Sequence, residues 1–199
     1  MNNIDFEKCL SYAAVVLDSR EKFAFFTHDK NAQTSINRHL LASRSVIKKD
    51  NIDRWNCFKK KYLEKSNNLD IVTFTIIRNP IDRYISAFCY LQKIKKIDRK
   101  ADVNNWTINV FRNIGTNFDP HFTCQEKYHK SIIDLNFDFM LNLDRLQEDW
   151  IKLAEKISAP KKLPHANSTA RKNFDLSNDS LKIIKDIYYE DFILFEKLQ

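Results

Sequence analysis

The stretch IVTFTIIRNPIDRYISAF at residues 71–88 reads as a buried strand that runs straight into a helix. Ile71, Val72, Phe74, Ile76 and Ile77 are β-branched or aromatic, the composition of a strand covered by protein. Asn79 suits a helix cap. Pro80 suits the first helical position, where the N–H it lacks has no helical acceptor. Arg78 therefore falls at the strand's C-terminal end, and Ser86 lies two turns into the helix. The pair can clamp an anion: a forked guanidinium, a hydroxyl donor and the positive end of the helix dipole meet there. In the structural alternative, Arg78 pairs with Asp82 or Glu64. Arg83 reads as a scaffold residue in either case.

A second unit of this kind lies upstream. Residues 22–26 (KFAFF) form a short apolar run bounded by charge, and residues 36–41 continue as a helix. Between them, Lys30, Thr34 and Ser35 fall at a helix N-terminus, where outward N–H groups favour anions. The pattern is not the Walker loop, which places Gly before Lys-Ser/Thr. An exposed loop lysine followed by two helix caps is the structural alternative. Two anion sites at two strand ends suit a ligand with two separated anionic groups.

Working outward, residues 4–17 read as an amphipathic opening helix, 34–43 as a helix, and 52–65 as another. The second core strand spans 69–77 and its helix 80–96. Residues 98–104 read as a loop, 105–112 as a short helix, and 114–125 as a surface loop. Residues 137–143 form a third strand and 146–157 a helix. A basic loop at 159–173 precedes a closing helix over 177–198, capped by Ser177 or Asn178. Strands alternating with helices imply an α/β class with a mainly parallel central sheet and helices on both faces.

Composition bounds the rest. The chain has 199 residues, 43% hydrophobic and 13% aromatic, enough for one domain over 1–199 with a packed core. No apolar run is long enough for a transmembrane segment. Residues 1–8 hold no basic segment followed by an apolar core, so no secretory signal is expected. Cys9, Cys57, Cys89 and Cys124 lack metal-like spacing and read as reduced thiols, so the expected location is cytoplasmic. The net charge of +7 favours an anionic partner. The basic runs are not interleaved with stacking aromatics as in a single-strand binder. They read as solvated faces, and no nucleic-acid partner is expected.

The two strand-end units together resemble the signature of sulfotransferases that use 3′-phosphoadenosine 5′-phosphosulfate (PAPS), nearest the Golgi carbohydrate sulfotransferases and their bacterial relatives (sulfotransferase family 2). That family carries a segment of the form Arg-Asp-Pro-x-x-Arg-φ-x-Ser-Ala-Tyr, with φ apolar or aromatic. Residues 78–88 here read RNPIDRYISAF, close in order and spacing. The family's phosphosulfate loop, Pro-Lys-x-Ala/Gly-Gly-Thr-Ser, is matched by Lys30, Ala32, Thr34 and Ser35. Asp29 stands in place of proline, Gln33 in place of glycine, and Thr27 where histidine is frequent. Three more segments resemble the family in order: Asp119-Pro120-His121-Phe122 with Gln125, the LPHANS stretch at 163–168, and Tyr189-Glu190-Asp191-Phe192 with Phe195.

The resemblance spans roughly residues 22–196. It implies a P-loop-like three-layer fold and sulfuryl transfer from PAPS to a carbohydrate hydroxyl, with 3′-phosphoadenosine 5′-phosphate (PAP) as product and no metal. It implies a 5′-phosphosulfate site at Lys30, Asn31, Ala32, Gln33, Thr34 and Ser35. Arg78 and Ser86 take the 3′-phosphate, and Asn167 and Ser168 lie in the loop near the cofactor. Lys30 is the expected catalytic cation. Sulfuryl transfer, like phosphoryl transfer, depends mostly on positioning and electrostatics. His121 is the expected general base, oriented by Asp119 or Glu126, since a neutral imidazole can take a hydroxyl proton near pH 7. The alternative for His121 is an ordinary surface histidine. Asp144 reads as an ion-pair partner.

Gln33 leaves three readings open. The loop takes ordinary φ there, the amide itself donates to the ligand, or the site is weakened. The rival functions are accordingly a non-catalytic nucleotide- or glycan-binding relative and a basic nucleic-acid-binding domain.

Overall fold

Among the described residues, five strands form one sheet: β1 (Ala13–Asp18), β2 (Phe23–His28), β3 (Arg44–Ile47), β4 (Val72–Ile77) and β5 (Phe139–Asn142). Their order across the sheet is β3-β1-β2-β4-β5. The computed structural model describes residues 13–18, 22–28, 30–32, 36, 44–47, 71–127, 137–163 and 174–199. β2, β4 and β5 run parallel, with Phe25 opposite Phe74 and Phe74 opposite Phe139. All six residues of β4 are buried, as a central parallel strand requires.

The parallel part agrees with the reading of a P-loop-like α/β fold. It is extended by two antiparallel strands, since β1 pairs antiparallel with both β2 and β3. This corrects the C-terminal part of the opening helix expected over 4–17, because Ala13–Asp18 is a strand; residues 4–12 lie outside the described residues. Val15 and Val16 carry the β-branched stems that suit a pleated surface, and pairing on both sides overrides the helical spacing of the apolar residues. The helices expected over 34–43 and 52–65 lie largely outside the described residues.

α1 (Pro80–Lys93) follows β4, and α2 (Val103–Trp106) runs on into a wide turn at Thr107–Phe111. α3 (Leu146–Ile157) follows β5, and α4 (Asn178–Ile187) and α5 (Tyr189–Glu196) close the chain. Phe23, Phe25, Phe74, Ile76 and Leu141 of the sheet form one core with Trp150, Leu153, Ala154 and Ile157 of α3. The Phe25 and Phe74 rings stack at 4.7 Å, and Trp150 meets Phe74 edge-on at 6.2 Å. Truncating such a residue to alanine costs about 3–5 kcal/mol.

A second core gathers around α1. Tyr84, Phe88 and Leu91 pack with Trp106, Phe111, Phe122, Ile184 and Tyr188. Ser177 caps α4 by accepting from the Ser180 N–H. The single closing helix expected over 177–198 is in fact two, broken at Tyr188 (φ −105°, ψ 24°). The Tyr188 hydroxyl donates to the Phe122 carbonyl at 2.7 Å, anchoring that break in the core.

The surface loop expected over 114–125 is corrected as well. It forms tight turns at Gly115–Asn117 and Pro120–Phe122, and it buries Asp119, Phe122, Cys124 and Gln125. Phe122 packs on the rings of Tyr84, Trp106 and Phe111, and this contact drives the segment inward. Cys89 and Cys124 are free thiols. No described helix is long and apolar enough to cross a membrane.

Candidate functional site

The C-terminal ends of β2 and β4 lie side by side, because the strands are parallel neighbours in register. Open α/β sheets bind ligands at that edge. The chain leaves β2 through Lys30 and leaves β4 through Arg78. The Arg78 guanidinium donates from Nη1 to the Lys30 carbonyl at 3.0 Å. In return, the Asn31 amide donates to the carbonyl of Ile76 on β4 at 2.8 Å. The two joints are thus sewn to each other by side chain to backbone bonds.

Gln125 locks this seam. Its side chain is fully buried, and Oε1 accepts from Asn31 Nδ2 at 2.6 Å and from the Arg78 N–H at 2.9 Å. Its Nε2 donates to the Arg78 carbonyl at 2.8 Å. Gln125 therefore satisfies both backbone groups of Arg78, which has left the strand ladder and needs partners. The buried Asp191 of α5 holds the next layer, accepting the N–H groups of Gln125 at 2.9 Å and Glu126 at 2.7 Å. Burial pushes the Asp191 carboxyl above its ordinary value, against the charge of Arg83 and these two donors. Arg83 is buried in α1.

The β2 loop is strained. Lys30 has φ 69° and Ala32 has φ 58°, a left-handed backbone that costs a residue with a side chain about 1–2 kcal/mol. Strain of this kind persists where surroundings over-determine the backbone. Here Arg78 holds Lys30, and Asn31 is anchored on both Ile76 and Gln125. Asn31 Oδ1 is buried with no hydrogen-bond partner among the described residues. Gln33, Thr34 and Ser35 lie outside the described residues, as do Asn167 and Ser168.

α1 starts at the same edge. Asn79 accepts from the N–H groups of Ile81 and Asp82, with Pro80 at the first position, as the sequence requires. Ser86 sits half-buried on this helix. Tyr90, near its end, lies beneath the Lys30 side chain, with Nζ 3.3 Å from the ring centroid.

His121 closes the group. Its ring lies 4.6 Å from that of Tyr90, and its Nδ1 is 2.6 Å from Asp119 Oδ1. The other Asp119 oxygen takes Lys96 Nζ at 2.8 Å. Burial pulls the Asp119 carboxyl up. The hydrogen bonds from Lys96 and His121 outweigh burial and hold the carboxyl below its ordinary range. Asp119 is thus an ionised acceptor, for which Nδ1 of His121 is the facing ring nitrogen. Asp144 is exposed just past the end of β5, and its N–H donates to Asn142 Oδ1 at 2.9 Å. Of the described residues singled out in the sequence, Lys30, Asn31, Arg78, Asp119 and His121 come together through these contacts. Tyr90 carries no sequence signal. Gln125 and Asp191 fall in family-like segments, but their buried roles show only once the chain is folded.

Lys30 and Arg78 are cations, and they bring hydrogen-bond donors to adjacent strand ends, a donor set that fits phosphate and sulfate groups. The family model described as "Sulfotransferase family" matches residues 8–197. The chain belongs to the sulfotransferase family, whose members transfer sulfuryl groups. No curated protein and no solved structure matches it.

Proposed function

We propose that the protein transfers a sulfuryl group from PAPS to a carbohydrate hydroxyl. The observation that carries this reading is the convergence of Lys30, Arg78 and the Asp119–His121 pair at the ends of β2 and β4. Lys30, Asn31, Ala32, Gln33, Thr34 and Ser35 are assigned to the 5′-phosphosulfate, Arg78 and Ser86 to the 3′-phosphate, and Asn167 and Ser168 to the nucleotide. When bound, the donor supplies an activated sulfuryl group whose sulfur–oxygen bond to phosphate breaks as the acceptor oxygen bonds to sulfur.

The chain's own groups prepare that exchange. Lys30 Nζ offsets negative charge on the leaving side. His121 takes the acceptor hydroxyl's proton at Nε2, and Asp119 keeps the proton on Nδ1 and steadies the imidazolium that forms. Arg78 holds the Lys30 backbone through Nη1, and its charge is assigned to the ligand's 3′-phosphate.

The test is binding selectivity. PAP at 100 times its dissociation constant should raise stability by about 2.7 kcal/mol, with no comparable effect from random oligonucleotides. Stabilisation by oligonucleotides and none by PAP would overturn the reading in favour of a nucleic-acid-binding domain.

A further inference from the structure

Tyr90 touches both residues assigned to the chemistry. Lys30 Nζ stands 3.3 Å from its ring centroid, and the His121 ring lies 4.6 Å away at a tilt of 39°. Lys30 belongs to the loop after β2, Tyr90 to α1, and His121 to the turn Pro120–Phe122. One aromatic ring is therefore the meeting point of three segments that are remote in sequence. His121 is fixed on its other side by Asp119, and Asp119 by Lys96, so the imidazole is held from two directions.

We propose that Tyr90 is a positioning residue for sulfuryl transfer, its ring setting where the Lys30 ammonium stands relative to the His121 imidazole. The proposal rests on the roles given to Lys30 and His121 above. A lysine head on a four-carbon stem samples many rotamers, and ordering it during the reaction costs entropy. The negative face of an aromatic ring attracts an ammonium and gives it a direction. The same ring packs His121, so both groups are referred to one rigid object before a ligand arrives. Effective catalysis depends on such prior placement, because small displacements of reacting groups are costly. Neither contact uses the Tyr90 hydroxyl, so a phenyl ring should serve, whereas an aliphatic side chain has bulk but no quadrupole.

Full-length Tyr90→Phe and Tyr90→Leu separate these cases. Tyr90→Phe should keep kcat within about twofold, and Tyr90→Leu should lower it about tenfold or more with little change in KM for PAPS. Proton NMR supplies a readout that needs no turnover. The Lys30 ε-methylene protons should lie upfield in the native protein and in Tyr90→Phe, shifted by the ring current. In Tyr90→Leu both they and the His121 ring signals should move. Native kcat in Tyr90→Leu, equal losses in both variants, or Lys30 resonances at the ordinary lysine position in the native protein would each overturn the proposal. If the resonances behave as expected but no acceptor supports turnover, Tyr90 does position the two groups and the assigned reaction is what fails.

Discussion

The Arg78 guanidinium is 3.0 Å from the Lys30 carbonyl, so the residue assigned to one end of the donor also holds the loop assigned to the other. Arg78→Ala should consequently weaken PAP and adenosine 5′-phosphosulfate together, since it loosens the Lys30 loop as well as the 3′-phosphate contact. Ser86→Ala should weaken PAP alone, by roughly 1.5–3 kcal/mol for a charge-assisted bond. Calorimetry with both ligands checks this, and equal losses in Ser86→Ala would remove Ser86 from the 3′-phosphate site.

Gln125 makes three hydrogen bonds to Asn31 and Arg78 from a buried side chain, pairing one donor atom with one acceptor atom. Gln125→Leu leaves buried polar groups unsatisfied, each worth about 1–3 kcal/mol. Urea unfolding should show a loss in that range or above, with a parallel fall in PAP affinity. A stability change within about 0.5 kcal/mol would show that the seam is not structural.

Asp119 links stability to pH. Its pKa is lower folded than unfolded, so it stabilises the fold above the ordinary carboxylate range. That contribution fades as pH falls through the folded value. Asp119→Asn should therefore be less stable at neutral pH, and its disadvantage should shrink at low pH. Urea midpoints from about pH 6 down to about pH 2.5 test the sign. A gap that widens on acidification would contradict it.

Ala32 holds a left-handed φ of 58°. Glycine takes that conformation without a side-chain clash, so Ala32→Gly should stabilise the fold by about 0.5–1 kcal/mol despite the extra entropy of its unfolded chain. Chemical denaturation measures it, and a destabilisation of similar size would mean that the methyl group's packing outweighs the strain.

The parts legible in the sequence are those that rest on local patterns. The helix at Leu146–Ile157 matches its expected bounds, and Asn79 with Pro80 marks the start of α1. The strand expected over 69–77 is legible in Val72–Ile77, whose six residues are all buried and are apolar or threonine. Ala13–Asp18 is not, because a short apolar run serves a helix or a strand equally until its neighbours are known. The segment 114–125 looks polar, but two of its polar residues are buried on partners: Gln125 on Arg78, and Asp119 on Lys96 and His121. Such pairings join residues as much as 94 positions apart, as between Asn31 and Gln125, and no spacing rule reveals them. Tyr90 escapes for the same reason, since its partners come from other segments.

His121→Ala should lower sulfuryl transfer about 10²–10⁴-fold, the usual worth of a general base, while PAP affinity barely changes. Steady-state rates beside calorimetric affinities provide the check. Near-native turnover would turn attention to Glu126 as the proton acceptor.

The most direct measurement follows a radiolabelled sulfuryl group from PAPS into a panel of glycans, with PAP release counted alongside. The proposed transfer puts label on a carbohydrate and releases one PAP for each group transferred, both lost in Lys30→Ala. Tight PAP binding with no label transferred to any glycan would contradict it, and would leave a nucleotide-binding relative without the reaction.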